Sequence, residues 1–327
     1  MKIAVVGATG VVGTKMIKVL EERNICVDEL IPVASAKSVG KGVLFRGRTW
    51  PVCTLEEGVA RKPHFALFSA GASVSLEWAP LFAKMGCTVI DNSSAWRMDP
   101  NVPLVVPEIN IHAIKPLDRI IANPNCSTIQ MVMALAPLHR RYGIDRIVVS
   151  TYQSVTGSGQ KGIDQLLFER GERPEQGALS AYSHPIDLNL IPQIDIFLEN
   201  GYSKEEMKMV HETRKILEDD TIEVSPTAVR VPVVGGHSES IFVSFHQTPD
   251  LDEVFNLLEH FPGLVVERLP QYPMPLHCVE RDDVFVGRIR RDLFVRNAIN
   301  LWVVADNLRK GAATNAVQIL QGLNIQS

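Results

Sequence analysis

Short apolar runs alternate with amphipathic segments over the first third of the chain. The run KIAVV at residues 2–6 is followed by glycines and then by a segment with helical spacing, which is the pattern of a βα unit. Further apolar runs are ELIPVAS, FALFSAG and CTVIDNSSAW, and the helical segment SLEWAPLFAKMG separates the last two. Uniformly apolar strands fit burial on both faces, so this part predicts an α/β, doubly wound parallel sheet.

The pattern changes from about Asp145 onward. Longer, more alternating segments appear, namely RIVVSTYQSV, TIEVSPTAVRVPVV, SESIFVSFHQ and LFVRNAINLWVVADN, and helical segments such as SKEEMKMVHETRKIL interrupt them. They predict an α+β domain with an antiparallel or mixed sheet. The last segment, LRKGAATNAVQILQGL, predicts a helix over 308–327 that returns to the first domain. The predicted domains are therefore 1–125 with 308–327, and 126–307.

The glycines Gly7, Gly10 and Gly13 lie between the first predicted strand and the first predicted helix. This is a variant of the dinucleotide fingerprint of Rossmann-type domains, in which glycine lets the backbone approach a pyrophosphate at a helix N-terminus. A glycine turn can also serve only to pack a helix on a strand. The strand–turn–helix context favours the cofactor interpretation.

The residues after the second predicted strand bear on the choice of cofactor. A carboxylate there would bind the ribose 2′-hydroxyl of NAD, but the segment ASAKSVGKG contains none. It offers Ser35, Lys37, Ser38 and Lys41, whose hydroxyl and ammonium groups suit a 2′-phosphate. The sequence therefore favours NADP, although an ordinary solvated loop has the same composition.

Length, charge and cysteine content exclude several classes of protein. A chain of 327 residues fits two domains, and a net charge of −4 gives no indication of a nucleic-acid or membrane partner. The five scattered cysteines contain no CxxC pair, which indicates reduced thiols and no zinc site. The apolar run at the N-terminus is too short for a signal peptide, so we expect a cytoplasmic protein without a metal.

Cys126 differs from the other cysteines in its surroundings. Ser127 and Thr128 follow it and are residues that commonly cap helices, and an apolar helical face comes next. The sequence therefore predicts a thiol at the positive end of a helix, a position that favours the thiolate. Asn123 and Asn125 make the preceding turn polar. An isolated cysteine is more commonly an inert core residue.

Eight segments together identify a resemblance. They are GATGVVG, NSSAWRM, VPEIN, NPNCST, TYQSVTGSG, EEMKM, VRVPV and GHSES, in this order. With them the chain resembles the aspartate-β-semialdehyde dehydrogenase family over nearly its whole length. The resemblance implies NADPH-dependent reductive dephosphorylation of L-4-aspartyl phosphate to L-aspartate 4-semialdehyde through a cysteine thioester, on the route to lysine, threonine and methionine. It also implies a homodimer formed through the second domain.

The resemblance assigns roles to individual residues. Cys126 matches the nucleophile, His237 the acid/base residue and Gln153 the residue that orients the substrate. The matched substrate contacts are Arg230 for the α-carboxylate, Glu205 for the α-amino group, and Arg97 and Lys208 for the phosphate. Taken alone, Glu205 and Lys208 indicate only a surface ion pair on one helix face. Glu206 is the neighbour most easily confused with Glu205.

The cofactor contacts implied by the resemblance lie in three parts of the chain. They are Gly7, Thr9, Gly10, Val11, Val12 and Gly13 in the glycine turn, Lys37 and Ser38 after the second strand, and Thr156, Gly157 and Asn307 near the nicotinamide.

Three alternatives remain to be weighed. N-acetyl-γ-glutamyl-phosphate reductase shares the chemistry, but its substrate has a blocked amine and needs no carboxylate such as Glu205. A short-chain dehydrogenase needs Tyr-x-x-x-Lys, and none of the five tyrosines is followed by lysine four residues on. A non-catalytic NADP-binding protein would keep the glycine turn and need no reactive thiol.

Overall fold

The computed structural model describes residues 1–174 and 181–325. The predicted closing helix extends to residue 327, so its last two residues lie outside this range. In the described parts no helix combines the length and apolar character needed to cross a membrane.

Thirteen strands and ten α-helices form within the described residues. The strands are β1 (Lys2–Val6), β2 (Glu29–Val33), β3 (Gly42–Phe45), β4 (Arg48–Pro51), β5 (Phe65–Phe68), β6 (Thr88–Asp91), β7 (Ile120–Ala122), β8 (Ile144–Ser154), β9 (Glu223–Val231), β10 (His237–Phe245), β11 (Leu264–Glu267), β12 (Val284–Arg291) and β13 (Ala298–Ala305). The helices are α1 (Val11–Glu22), α2 (Leu55–Ala60), α3 (Ala72–Lys84), α4 (Pro107–Asn110), α5 (Cys126–Tyr142), α6 (Gln160–Glu169), α7 (Lys204–Leu217), α8 (Leu251–Glu259), α9 (Pro275–Cys278) and α10 (Thr314–Ile325).

The chain divides into two compact units. The first comprises Met1–Asn125 with Ala312–Ser327, and the second comprises Cys126–Gly311. The sequence placed the return to the first unit at residue 308, whereas the structure places it at Ala312. The difference arises because Gly311 still packs in the second unit: a Cβ on Gly311 would lie 2.9 Å from Cβ of Cys126.

The first unit is built on a parallel sheet of five strands in the order β2-β1-β5-β6-β7. Successive residues of β1 point to opposite faces: Ile3 and Val5 join one apolar cluster with α1 and α10, while Ala4 and Val6 join another with α3. Both faces are therefore covered, which explains why the strand is apolar at each of these positions. This confirms the predicted doubly wound sheet.

The turn after β1 shows why glycine is required there. The N–H groups of Gly7 and Ala8 both donate to the carbonyl of Val33, at the end of β2. Gly7 has a φ of +89°, and a Cβ on it would lie 2.4 Å from the carbonyl oxygen of Ser69. A Cβ on Gly13 would lie 2.1 Å from the carbonyl oxygen of Gly7, so helix α1 approaches the turn too closely for any larger residue.

The second unit is built on a six-stranded sheet in the order β11-β12-β13-β10-β8-β9. The pairs β8–β9 and β11–β12 are parallel, and the other neighbours are antiparallel. This confirms the predicted mixed sheet. Helix α5 packs against strands β8, β10, β12 and β13 and also contacts α7 and α8. Contact on several sides explains why nearly all of α5 is buried, including its polar residue Gln130.

Candidate active site

The register of the second sheet brings three predicted site residues to one edge. Strands β8 and β9 run parallel with Gln153 opposite Arg230, so the two residues lie side by side near the ends of their strands. Strand β10 runs antiparallel to β8 with Ser238 opposite Tyr152, so His237 begins β10 where β8 ends. All three side chains are nearly or fully buried.

Cys126 is the first residue of α5 and is partly exposed. The N–H groups of the first turn of a helix have no acceptors within the helix, and their partial positive charge stabilises a thiolate. The predicted capping role of Ser127 and Thr128 is wrong. The helix begins at Cys126, so both residues lie inside its first turn.

A chain of asparagine side chains holds the segment that precedes Cys126. Nδ2 of Asn123 donates to Oδ1 of Asn92 at 2.7 Å, and Nδ2 of Asn315 donates to Oδ1 of Asn123 at 2.7 Å. Asn315 also donates to the carbonyl of Val105. Asn123 and Asn315 are fully buried, so this network fixes the backbone just before Cys126.

The backbone of Ser154 decides which nitrogen of His237 carries the proton. The N–H of Ser154 donates to Nδ1 at 3.1 Å, and its hydroxyl lies 3.2 Å from the same nitrogen. A nitrogen that accepts from N–H has no proton, so the neutral imidazole is protonated at Nε2. Nε2 is buried, with no hydrogen-bond partner among the described residues. Burial, followed by the charge of Arg230, lowers the pKa of His237 to about 3.

Arg230 lies against the same patch as His237. A Cβ on Gly157 would lie 2.7 Å from Nη1 of Arg230 and 3.3 Å from Nε2 of His237. Nη1 of Arg230 donates to the carbonyl of Ser154 at 2.7 Å, whereas its Nε is buried without a partner in the described parts of the chain. The guanidinium also lines a cavity of about 220 Å³ together with Tyr182. A bidentate anion would satisfy these donors.

Glu205, Lys208 and Asp195 form a partly buried group of charges. Nζ of Lys208 lies 3.0 Å from Glu205 and 3.2 Å from Asp195. Burial alone would lower the pKa of Lys208, but the two carboxylates, Glu205 first, raise it overall. Nε2 of Gln153 donates to Glu205 at 3.3 Å, which joins this group to the end of β8.

The capping box of α7 distinguishes Glu205 from Glu206. Glu206 accepts from the N–H of Ser203, while the Ser203 hydroxyl accepts from the N–H of Glu206. The second carboxyl oxygen of Glu206 accepts from the N–H of Ala228. Both carboxyl oxygens of Glu206 therefore accept backbone hydrogen bonds, whereas Glu205 contacts Gln153 and Lys208.

Two predicted nicotinamide contacts lie beside the histidine. Oδ1 of Asn307 accepts from the hydroxyls of Thr156 at 2.9 Å and Ser154 at 3.2 Å. Because Oδ1 accepts both hydrogen bonds, the Nδ2 group of Asn307 faces away from the Ser154 and Thr156 hydroxyls. A Cβ on Gly311 would lie 3.6 Å from Cβ of Asn307 and 2.9 Å from Cβ of Cys126, so Asn307 also lies near the thiol.

The predicted pyrophosphate contacts belong to the first unit. Helix α1 begins at Val11, its N-cap Gly10 makes no side-chain cap hydrogen bond, and Thr9 and Gly10 are exposed. The N–H groups of Val11, Val12 and Gly13 precede the first intrahelical bond, which Thr14 makes to Gly10. A backbone that allows no Cβ at residues 7 and 13 and ends in these donors fits a dinucleotide phosphate.

The remaining predicted contacts also lie in the first unit. Lys37 and Ser38 belong to a short 3₁₀ turn, Ala36–Ser38, which follows β2. The N–H groups of Gly7 and Ala8 bond to the carbonyl of Val33 at the end of β2, so Lys37 and Ser38 follow a strand that is joined to the glycine turn. Arg97 is buried, and its Nη2 donates to the carbonyl of Asn92 at 2.9 Å.

Comparison with known proteins assigns both units. Residues 2–117 match the model of a semialdehyde dehydrogenase NAD binding domain, and residues 135–310 match that of a semialdehyde dehydrogenase dimerisation domain. The aspartate-semialdehyde dehydrogenase of Aquifex aeolicus is 52% identical, over 98% of this chain and 97% of the relative. The chain belongs to the aspartate-semialdehyde dehydrogenase family.

Three further comparisons agree with this membership. Aspartate-semialdehyde dehydrogenase 2 of Vibrio cholerae is 49% identical over 98% of this chain and 96% of its own. The crystal structure of aspartate semialdehyde dehydrogenase II from Vibrio cholerae complexed with ASA has a TM-score of 0.95 and 48% identity, covering 99% of this chain and 98% of that one. The aspartate semialdehyde dehydrogenase from Candida albicans solved with NADP has a TM-score of 0.77 and 26% identity, with 99% and 98% coverage.

Sequence reasoning missed several residues of the candidate site. Ser154 lies next to the predicted Gln153, and only the strand register shows that its N–H reaches His237. Asp195 lies in a segment without regular structure and adopts a φ of +67°, which the sequence did not indicate. Asn315 reaches Asn123 across a separation of 192 residues, and a buried asparagine inside a helical pattern was the one available signal.

We predict that the imidazole of His237 stays neutral in the folded enzyme from about pH 8 to about pH 5. Histidine NMR spectra, assigned with His237→Asn, should show Nε2 protonated, Nδ1 unprotonated and no titration in this range. The unfolded chain binds this proton near pH 6.5 and the folded chain near pH 3. The free energy of unfolding should therefore decrease as the pH drops from 6.5 toward 3, by at most about 1.4 kcal/mol per pH unit from this group. A midpoint near 6.5 for His237, or a proton on Nδ1, would contradict the assignment.

Proposed function

We propose that this enzyme reduces L-4-aspartyl phosphate to L-aspartate 4-semialdehyde with NADPH, releasing phosphate, through a thioester on Cys126. This is a step of amino-acid biosynthesis toward lysine, threonine and methionine. The observation that carries the mechanism is the grouping in the second unit of a thiol at a helix start, a buried imidazole and a buried guanidinium. The name shared by the relatives supports the choice of substrate.

Cys126 forms the covalent bond. The thiolate attacks the acyl carbon, so an S–C bond forms, the C–O bond to the phosphoryl group breaks, and phosphate leaves with the electron pair. A bound nicotinamide cofactor supplies the hydride that reduces the resulting thioester. Collapse of the reduced adduct releases the aldehyde and returns the thiolate.

His237 begins the reaction as a hydrogen-bond donor. Its Nε2 carries the proton in the neutral form, so it can donate to oxygen that becomes negative during attack on the acyl carbon. It is not available as a base for the thiol at that nitrogen until it has lost this proton. After burial, the positive charge of Arg230 is the second cause that lowers the pKa of His237. A substrate carboxylate paired with Arg230 would offset that effect and make the imidazole easier to protonate, so we assign the acid/base role to the substrate complex.

The substrate contacts follow from charge and burial. Arg230 has an unsatisfied donor and lines a cavity, which suits the α-carboxylate. Glu205, accepting from Gln153, suits the α-amino group, and Lys208 suits the phosphate once the substrate competes with its carboxylate partners. We assign Arg97 to the phosphate and Gln153 to orientation of the substrate from the family resemblance.

NADP is the proposed cofactor. The glycine turn, with Thr9, Gly10, Val11 and Val12, would bind the pyrophosphate. Lys37 and Ser38 would bind the 2′-phosphate, because no carboxylate lies between residues 34 and 42 to favour the 2′-hydroxyl of NAD. Thr156, Gly157 and Asn307 would contact the nicotinamide. The relative from Candida albicans was solved with NADP, which supports this choice.

The enzyme has a dimerisation domain, and we propose that it works as a homodimer in the cytoplasm. The sheet of the second unit has an outer surface with partly exposed apolar residues, among them Val148 and Trp302, which suits contact with a second copy. All five cysteines are free of disulfides in the structure, which supports a reducing compartment.

The direct test of the function is phosphate-dependent oxidation of L-aspartate semialdehyde. We predict turnover with NADP, and a loss of roughly 10⁴-fold or more in Cys126→Ala, since a missing nucleophile abolishes the covalent route. Binding of NADPH, followed by the fluorescence of the reduced nicotinamide, should survive in that variant. Cys26→Ala, at an exposed cysteine, is the matched control and should keep full activity. Near-normal turnover in Cys126→Ala, or a preference for N-acetylglutamate semialdehyde, would overturn the proposal.

A second test concerns the 2′-phosphate. Lys37→Ala should raise KM for NADP by roughly 10-fold, as expected for loss of one charge-assisted hydrogen bond, while KM for NAD stays unchanged. Lys84→Ala, at an exposed lysine ending α3, is the control and should change neither constant. Equal effects of Lys37→Ala on KM for NADP and for NAD would show that the lysine does not bind the 2′-phosphate.

A further inference from the structure

Strand β10 carries a buried carboxyl group that the mechanism above does not use. Glu239 lies two residues after His237 on the same face of the strand, and it is fully buried. Neither of its carboxyl oxygens has a hydrogen-bond partner among the described residues. Its neighbours across the sheet are Thr151 on β8 and Val303 on β13, so neither adjacent strand places an opposite charge beside it.

Helix α5 packs against β10, and its residue Gln130 lies close enough to Glu239 to affect the pKa of that carboxyl group. Gln130 lies one helical turn after Cys126 and is fully buried. Its Nε2 donates to the carbonyl of His237 at 3.4 Å. A carbonyl can only accept, so this contact fixes the orientation of the Gln130 amide and leaves Oε1 as an acceptor that has no partner in the described structure.

Three buried acceptor oxygens of these two residues therefore have no hydrogen-bond partner in the described parts of the chain, although the Gln130 amide lies near enough to Glu239 to act on its pKa. They are the two carboxyl oxygens of Glu239 and Oε1 of Gln130. Buried polar atoms are nearly always hydrogen-bonded, and an unpaired one is costly. One proton on Glu239 converts a carboxyl oxygen into a donor and removes the conflict. Burial also raises the pKa of Glu239 well above its ordinary value, despite the nearby amide of Gln130.

We propose that Glu239 is a positioning residue: as a neutral carboxylic acid it donates a hydrogen bond to Oε1 of Gln130, and so holds the first turn of α5 against the strand that carries His237. The inference rests on the proposed role of Cys126 as the nucleophile. Gln130 then joins the acid of Glu239 to the carbonyl of His237. Since Cys126 lies one turn from Gln130, this link sets the position of the thiol relative to the imidazole. A misplacement of about 1 Å can cost roughly 10²-fold in rate.

The test compares variants that keep or remove the donor. Glu239→Gln keeps a donor and the same shape, so kcat should stay within about 3-fold of wild type. Glu239→Met has similar size without the donor, so kcat should fall roughly 10- to 100-fold while both KM values change little. Gln130→Met breaks the same link from the other side and should behave alike. The double Met variant should be no slower than the slower single variant, because each substitution removes the same hydrogen bond between Glu239 and Gln130.

A readout without substrate keeps this inference separate from the proposed function. Alkylation of Cys126 by iodoacetamide at fixed pH should be at least about 3-fold slower in the two Met variants than in wild type and in Glu239→Gln. If wild type shows no turnover of aspartate semialdehyde, the proposed function has failed, and the alkylation rates still decide the role of Glu239.

Three results would overturn the inference. If Glu239→Gln loses activity as Glu239→Met does, a negative charge is required and the neutral acid is wrong. If Glu239→Met retains the wild-type kcat and alkylation rate, Glu239 positions nothing. If the losses of Glu239→Met and Gln130→Met multiply in the double variant, the two residues act separately.

Discussion

The packing of α5 against the mixed sheet is the constraint on which the rest of the site depends. The helix is buried on nearly every side, so its first residue, Cys126, cannot move independently of the strands beneath it. The strands deliver the other groups through their register, with Gln153 beside Arg230 and His237 at the start of β10. A thiol on a mobile loop would have no fixed distance from the imidazole of His237. Regular structure supplies that relation here.

The electrostatics of the site prepare it for an anionic substrate. A neutral imidazole and a guanidinium with an unused donor lie together in a buried patch, where an imidazolium beside Arg230 would be unfavourable. The acidic side of the site is the ion group of Glu205, Lys208 and Asp195, in which the lysine is held between two carboxylates. An anionic substrate would therefore satisfy the buried donors of Arg230 and His237, whereas it would have to compete with Asp195 and Glu205 for Lys208.

The sequence predicted those features that depend on residues close together in the chain. The uniformly apolar strands indicated a doubly wound sheet, and the glycine spacing indicated a turn in which Gly7 and Gly13 leave no room for a Cβ. The hydrogen bond from Ser154 to His237 could not be predicted, because it depends on how two strands pair. Neither could the asparagine chain from Asn92 to Asn315, or the approach of Glu239 to Gln130, since these join residues far apart in sequence. The error at Ser127 and Thr128 has a local cause: both residues are frequent caps, but the helix already begins at Cys126, before either of them.

The central claim is that the sulfur of Cys126 carries the acyl group, and covalent trapping tests it most directly. The enzyme would be mixed with L-4-aspartyl phosphate in the absence of nicotinamide cofactor, quenched in acid and digested for mass spectrometry. The account predicts release of phosphate in amounts equal to active sites and an aspartyl adduct on the peptide containing Cys126. It predicts unmodified peptides for Cys87 and Cys278, whose pKa burial raises to about 12. An adduct on another residue, or none on Cys126 in a preparation with full turnover, would contradict the account.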